Sequence, residues 1–283
     1  MESTIDGRRG AGGLQAENLW RQAPAALPEI TTDLDQAERD LHAQGICFVS
    51  GVLTAQQLAD VRAGLYRAAR LDTERNLTHS GFRLDYGEGN HRIWNTLSLD
   101  PVFSDLAEHP AALRLVRSVL GWPALLGNQS ANIALPGCEG GVLHADQGFI
   151  QEPWPALPQG CNVAWCVDEF TEENGATRFV PGSVHHHRPP GEGDADGSVP
   201  AVAPAGTMVV FESRIWHRTG TNRTTDQSRA ALFNWYTRPI YRPQENWFLS
   251  LNPRILEGAS DDMLVLLGYR TEGFGKVNGR SPR

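Results

Sequence analysis

His144 and Asp146 stand two residues apart within residues 142–149, a stretch whose composition predicts a strand. Along a strand the period of two puts both side chains on one face, converging on one point. One imidazole and one carboxylate are two parts of the donor set that non-haem iron(II) takes in oxygenases. There two histidines and a carboxylate occupy one face of the octahedron and leave the rest to a cosubstrate and dioxygen. A second histidine must then come from a distant part of the chain. The nine available are His42, His79, His91, His109, His144, His185, His186, His187 and His217. His217 follows an apolar strand-like run at residues 208–211 and precedes Thr219-Gly220 and a further apolar run after Arg229. The consecutive His185, His186 and His187 would alternate between two faces of a strand and cannot all converge, so they read as a solvated loop. Taken alone, His-x-Asp occurs by chance in many chains and reads more readily as a capped or surface histidine.

The elements that must position these residues follow from periodicity. The chain has 283 residues, enough for one large β domain or two smaller ones. Residues 1–30 show no pattern and read as a flexible tail. Leu34, Ala37 and Leu41 recur at helical spacing until Gly45, and residues 46–52 are rich in strand formers. Thr54 with Gln57 forms a capping box ahead of Leu58, Val61, Leu65 and Ala68 on one helical face. Residues 104–120 carry Leu106, Leu113, Val116 and Leu120, broken near Pro110 and stopped at Gly121. From residue 124 onward, short strand-like runs alternate with Gly and Pro clusters, at residues 129–135, 142–149, 162–167, 177–180, 207–211 and 230–236. That rhythm predicts a β-sandwich or barrel. Residues 189–206 read as a long surface loop. The expected architecture is mainly β with α: a single domain over residues 31–283, with a helical layer at 31–123 and a jelly-roll core at 124–240.

Composition narrows the partners. Lys and Arg number 25 against 33 Asp and Glu, a net charge of −8, with no basic run beyond Arg8-Arg9, so nucleic acid and anionic membranes are not expected partners. No apolar stretch approaches the ~20 residues that span a bilayer. Residues 1–30 hold no apolar segment of the secretory kind, and the cytoplasm is the expected compartment. The four cysteines, Cys47, Cys138, Cys161 and Cys166, never form a C-x-x-C and are expected as free thiols.

In chain order the motifs run His144-Ala145-Asp146, then Asn174-Gly175-Ala176-Thr177-Arg178-Phe179-Val180-Pro181-Gly182-Ser183, then His217-Arg218-Thr219-Gly220-Thr221-Asn222, then Arg229. With this ordered set the chain resembles the phytanoyl-CoA dioxygenase family of iron(II) and 2-oxoglutarate-dependent oxygenases, from Gly45 to Tyr236, the middle motif being the most specific part. The resemblance implies a double-stranded β-helix (a jelly roll of the cupin-like kind), with iron held by His144, Asp146 and His217. It implies that Arg229 holds the distal carboxylate of 2-oxoglutarate, for which a bidentate guanidinium that never loses its charge is suited. A strand-edge arginine facing water is the alternative for Arg229, and its rival Arg223 reads as solvated loop. Thr177 and Thr219 sit where family members place hydroxyls that bond the cosubstrate, although each could instead satisfy its own strand. Many relatives have a glutamine three residues before the first ligand, where this chain has Gly141. Gln129 or Asn132 is the expected substitute. Relatives often read P-G-S-H where Pro181-Gly182-Ser183 here runs into Val184. Of the many aromatics, which include Tyr86, most read as core. Trp94, in a loop-like segment at residues 87–96, and Gln147 and Phe149, just past the ligand pair, are placed at a pocket mouth.

The resulting expectation is a dioxygenase of secondary metabolism that hydroxylates a small or medium organic molecule, consumes dioxygen and 2-oxoglutarate, releases succinate and carbon dioxide, and is stimulated by ascorbate in vitro. A homodimer is compatible with it. A CoA thioester is disfavoured, because scattered single arginines cannot meet its several phosphates. Two alternatives stay open: an isomerase or hydrolase using the same triad as a Lewis acid, and a ligand-binding relative without activity.

Overall fold

The computed structural model describes residues 26–78 and 89–283; His79 and Tyr86 lie outside the described residues. In chain order the elements that build the site are β1 (Ile30–Thr31), α1 (Leu34–Gln44), β2 (Ile46–Val49), α2 (Ala55–Arg75), β3 (Asn90–Ile93), α3 (Val102–Ala107), α4 (Pro110–Leu120), β4 (Leu125–Ala134), β5 (Gly160–Cys166), β6 (Arg178–Phe179), β7 (Val199–Pro200), β8 (Met208–Glu212), β9 (His217–Arg218) and β10 (Arg229–Thr237). Of the stretch expected as a tail, residues 1–25 lie outside the described residues, and Ile30 pairs in parallel with Phe48.

The helices start and stop where local chemistry dictates. Asp33 caps α1 by accepting from the Asp35 amide, and Gly45 ends it with φ 75°, its amide on the Leu41 carbonyl. Both hydrogen bonds of the Thr54–Gln57 box are present at the head of α2. Pro110 occupies the first turn of α4 and cannot continue α3, which stops at Ala107.

Among the described residues ten strands form two sheets, one ordered β1-β2-β8-β5-β10-β4-β3 and the other β7-β6-β9. This is the double-stranded β-helix. Alternation along each strand divides the large sheet into two faces. Val163, Trp165, Val210 and Leu232 pack under Leu41, Leu65, Leu113 and Val116 of the helices. Their neighbours Ala164, Cys166, Val209 and Ala231 face inward with Phe170, Phe179 and Phe211. Each fully buried Leu or Phe contributes roughly 1.5–3 kcal/mol to holding the layers together. β10 lies between β5 and β4, paired antiparallel to both, and is the strand against which the site is registered.

Three sequence expectations are corrected. Residues 142–149 are not a strand: His144 makes one isolated bridge to His217, and the chain then turns, with Gly148 bonding back to the Ala145 carbonyl and Gln147 to the Ser213 carbonyl. The loop at 189–206 contains β7, paired with β6. The segment at 87–96 contains β3, paired with β4. All four cysteines are buried free thiols, as expected. Among the described residues no helix is long and apolar enough to cross a membrane.

Candidate metal centre

The first ligand candidate ends a bridge and the third begins a strand. His144 and His217 exchange backbone hydrogen bonds of 3.0 and 2.8 Å, which sets their imidazole rings 4.3 Å apart. Asp146 enters from the turn that follows. Its Oδ1 lies 3.6 Å from His144 Nε2 and its Oδ2 3.6 Å from His217 Nε2. The donor atoms all lie within 4.8 Å of one another, and among the described residues this is the one group of three or more such side chains able to hold a metal ion. His-x-Asp therefore converges by a bridge and a turn, and not by strand alternation.

The rings are set to ligate. His144 Nδ1 is 2.8 Å from the Val142 carbonyl and His217 Nδ1 3.1 Å from the Ile215 carbonyl. A carbonyl can only accept, so each Nδ1 carries the hydrogen and each Nε2 presents its lone pair toward Asp146. Phe179 stacks on the His217 ring and Phe211 meets it edge-on, which locks its plane. Burial pushes His217 down to about 4, despite the pull of Asp146. Burial works against an ionised Asp146, but the charges of His217 and His144 and the amide of Asn162 hold its carboxyl at about 2. At neutral pH the site thus offers a neutral His217 imidazole and an ionised Asp146 carboxylate, the forms a divalent metal requires, beside the Nε2 of His144.

Arg229 opens β10 with its side chain wholly inside the protein. Nε donates to the Gly175 carbonyl at 3.1 Å, and the guanidinium carbon lies 4.7 Å from the centre of the Phe170 ring. Both terminal nitrogens are buried without a hydrogen-bond partner among the described residues. Burial lowers the group to about 10, so it is still a cation at neutral pH. The water-facing alternative for Arg229 is therefore not what the structure shows, whereas Arg223 is exposed as expected. A buried charge with two idle donors is costly unless an anion meets it.

A cavity of about 510 Å³ opens onto the triad, and Thr177, Thr219 and Asn132 are on its wall. Asn132 donates to the Thr219 hydroxyl at 3.3 Å. Arg229 is not on the wall itself; its partner Gly175 lies just before Ala176-Thr177. Trp94 and Phe149, expected at a pocket mouth, are among the residues lining the cavity. Two candidates are corrected. On β4 the cavity takes Asn128, Ser130 and Asn132, so Gln129 faces the helices, bonded to Thr96, the Phe103 carbonyl and Asn234. Gln147 is fully buried and its Oε1 accepts from the Gln159 amide, which ties the loop together away from the wall. His185 and His186 lie in a short 3-10 turn, and the His186 ring stacks on Trp216, apart from the triad.

Arg92, Trp235 and Asn162 are among the wall residues that sequence reasoning missed. Arg92 sits on β3 in register with Asn132, and its charge depresses both His217 and Arg229. Trp235 and Asn162 come from β10 and β5, and Asn162 donates to Asp146 Oδ2 at 2.6 Å. None has a local signal, because each is brought in by strand pairing.

The family model described as phytanoyl-CoA dioxygenase (PhyH) matches residues 41–231. The chain belongs to the phytanoyl-CoA dioxygenase family. Among relatives, dioxygenase af480 of Aspergillus fumigatus is 34% identical over 255 residues, covering 87% of this chain and 80% of that one. Dioxygenase FrzG of Cladobotryum is 29% identical over 252 residues, 81% of this chain and 82% of that one. The crystal structure of SnoN, a non-heme alpha-ketoglutarate-dependent epimerase from nogalamycin biosynthesis, superposes with a TM-score of 0.58 at 22% identity, over 80% of this chain and 91% of that one. SnoK, the carbocyclase from the same biosynthesis, gives 0.59 at 20% identity over 78% and 92%. These two likenesses show the fold that this member of the phytanoyl-CoA dioxygenase family shares with them.

Proposed function

We propose that the protein is a cytoplasmic iron(II) and 2-oxoglutarate-dependent dioxygenase of secondary metabolism that hydroxylates a small or medium organic molecule, releasing succinate and carbon dioxide. The observation that carries this reading is Arg229: a fully buried cation whose two terminal nitrogens have no partner among the described residues, in the barrel that holds a two-histidine, one-carboxylate cluster. The donor set and the orphaned guanidinium fit iron and a dicarboxylate together. When bound, iron with 2-oxoglutarate supplies the oxidising chemistry toward a C–H bond.

The chain's own residues do the rest. His144, Asp146 and His217 hold the metal, with Asp146 ionised and His217 neutral. Arg229 pairs with the distal carboxylate of the cosubstrate through its two free prongs, and Thr177 and the bonded pair Asn132–Thr219 meet it along the wall. Arg92 supplies the second positive charge at the cavity and takes the carboxylate on the metal side, the contact left open by Gly141. Trp94, Phe149 and Trp235 exclude water from the mouth and orient a small-molecule substrate.

An isomerase or hydrolase using the triad as a Lewis acid has no use for Arg229. The deciding experiment is anaerobic titration of iron-loaded protein with 2-oxoglutarate, followed by charge-transfer absorbance, then admission of oxygen with ascorbate present and assay of succinate. A saturable band and succinate are expected. Neither appearing would sink the reading.

A further inference from the structure

We infer that Asn162 fixes Asp146 as a one-oxygen ligand and thereby keeps a coordination position of the metal centre open. The inference rests on the metal reading above. Within the triad nothing selects one carboxylate oxygen: His144 Nε2 faces Oδ1 and His217 Nε2 faces Oδ2, both at 3.6 Å. Carboxylates bind hard cations through one oxygen or through two, so the choice must come from outside the triad.

Asn162 makes that choice. Its Nδ2 lies 2.6 Å from Asp146 Oδ2. An ionised carboxylate only accepts, so the amide nitrogen must be the atom that faces it. The two residues also differ in how firmly they are held. Asn162 sits in β5, paired with Trp235 on one side and Phe211 on the other, and only 5% of it is exposed. Asp146 comes from the turn that leaves the single His144–His217 bridge. A residue fixed by two strand neighbours therefore orients a ligand carried by a loop. With Oδ2 held by the amide, Oδ1 is the oxygen left for the metal.

The consequence is a count of open positions. Three single-atom protein ligands leave three places on an octahedral ion, two for a keto acid and one for dioxygen, and a two-oxygen Asp146 would fill one of them. Asn162 is a positioning residue: it acts through Asp146.

The test uses manganese(II) as the probe, counting metal-bound waters from the broadening of its electron paramagnetic resonance lines in oxygen-17 water. Wild type and the Asn162→Ala and Asn162→Ser variants are compared, each checked for an unchanged melting profile. Three waters are expected in the wild type, and one fewer in both variants, with manganese affinity altered by no more than a fewfold. The serine hydroxyl is too short to reach Oδ2, so it serves if the alanine variant does not fold. Three waters in a folded variant would overturn the role of Asn162 while leaving the metal centre intact. A wild type that binds no manganese would overturn the metal centre and this inference together.

Discussion

His144 and His217, 73 positions apart in the chain, are joined by two reciprocal backbone hydrogen bonds, so the ring of each is placed by the main chain of the other. The spacing of the two imidazoles is thus a property of the fold. The Nδ1 bonds to the Val142 and Ile215 carbonyls then fix how each ring is turned.

Removing either ring should abolish metal binding and turnover together. His144→Ala and His217→Ala are expected to retain no iron by elemental analysis. Changing His185, His186 and His187 to Ala should leave iron stoichiometry unchanged, since their turn packs on Trp216 and not on the triad. Loss of iron in that triple variant would mean the wrong histidines were assigned.

Arg229→Ala leaves a buried carboxylate without its fork. Hydrogen bonds to charged groups contribute roughly 1.5–3 kcal/mol, so the dissociation constant of 2-oxoglutarate should rise about 10 to 150 fold. Arg229→Lys keeps the charge without the two-pronged geometry and should show a smaller rise. Iron affinity should barely move, and exposed Arg223→Ala should change neither by more than a fewfold. Identical cosubstrate titrations for wild type and Arg229→Ala would remove the residue from the site.

Gly175 holds Arg229 through its carbonyl, and its own φ is 83°, where an L side chain is strained. A Cβ there would also stand 2.8 Å from the Gly220 carbonyl oxygen. Gly175→Ala should destabilise the protein by at least about 1–2 kcal/mol and weaken 2-oxoglutarate binding, because the carbonyl must shift. Thermal unfolding and the same titration check both, and an unchanged melting point would contradict the strained geometry.

His109 sits half-buried at the head of α4, its ring edge-on to Trp165 and its Nε2 3.2 Å from the Val52 carbonyl. Burial lowers its pKa from the ordinary 6.5. The unfolded chain therefore takes up the proton first, and stability should fall as pH drops from 6.5 toward the lower folded value, then level off with respect to this group. His109→Gln should show a shallower loss of melting temperature between neutral and mildly acidic pH than wild type. Parallel pH profiles would show that the ring does not titrate as its burial requires.

What the sequence made legible was local. The Leu34, Ala37, Leu41 spacing, the Thr54–Gln57 box and the Pro110 break each carry their signal within a few residues, and each forms as read. The donor set was legible because residue type alone restricts it, with nine histidines and one paired with a nearby carboxylate in a strand-like run. Pairing across the sheet was not legible. Gln129 and Asn132 differ only in which face of β4 they occupy, and a sequence does not print that parity. Arg92 belongs to the cavity because β3 pairs with β4 in one register, and Asn162 because β5 lies beside β10. The run at 142–149 has strand composition yet leaves the ladder after one bridge, held by Gln147 to the Ser213 carbonyl 66 positions later.

The four cysteines are buried, and for Cys47, Cys161 and Cys166 burial raises the thiol above its ordinary range, to about 12 for Cys166. To a maleimide reagent these three thiols are therefore nearly silent, since thiolate is the reacting species, and Cys138 is shielded by its burial. A cysteine placed at the exposed Leu157 would be the preferred point of attachment for a fluorophore or spin label. The loop that carries Asp146 could then be followed in an otherwise unaltered protein.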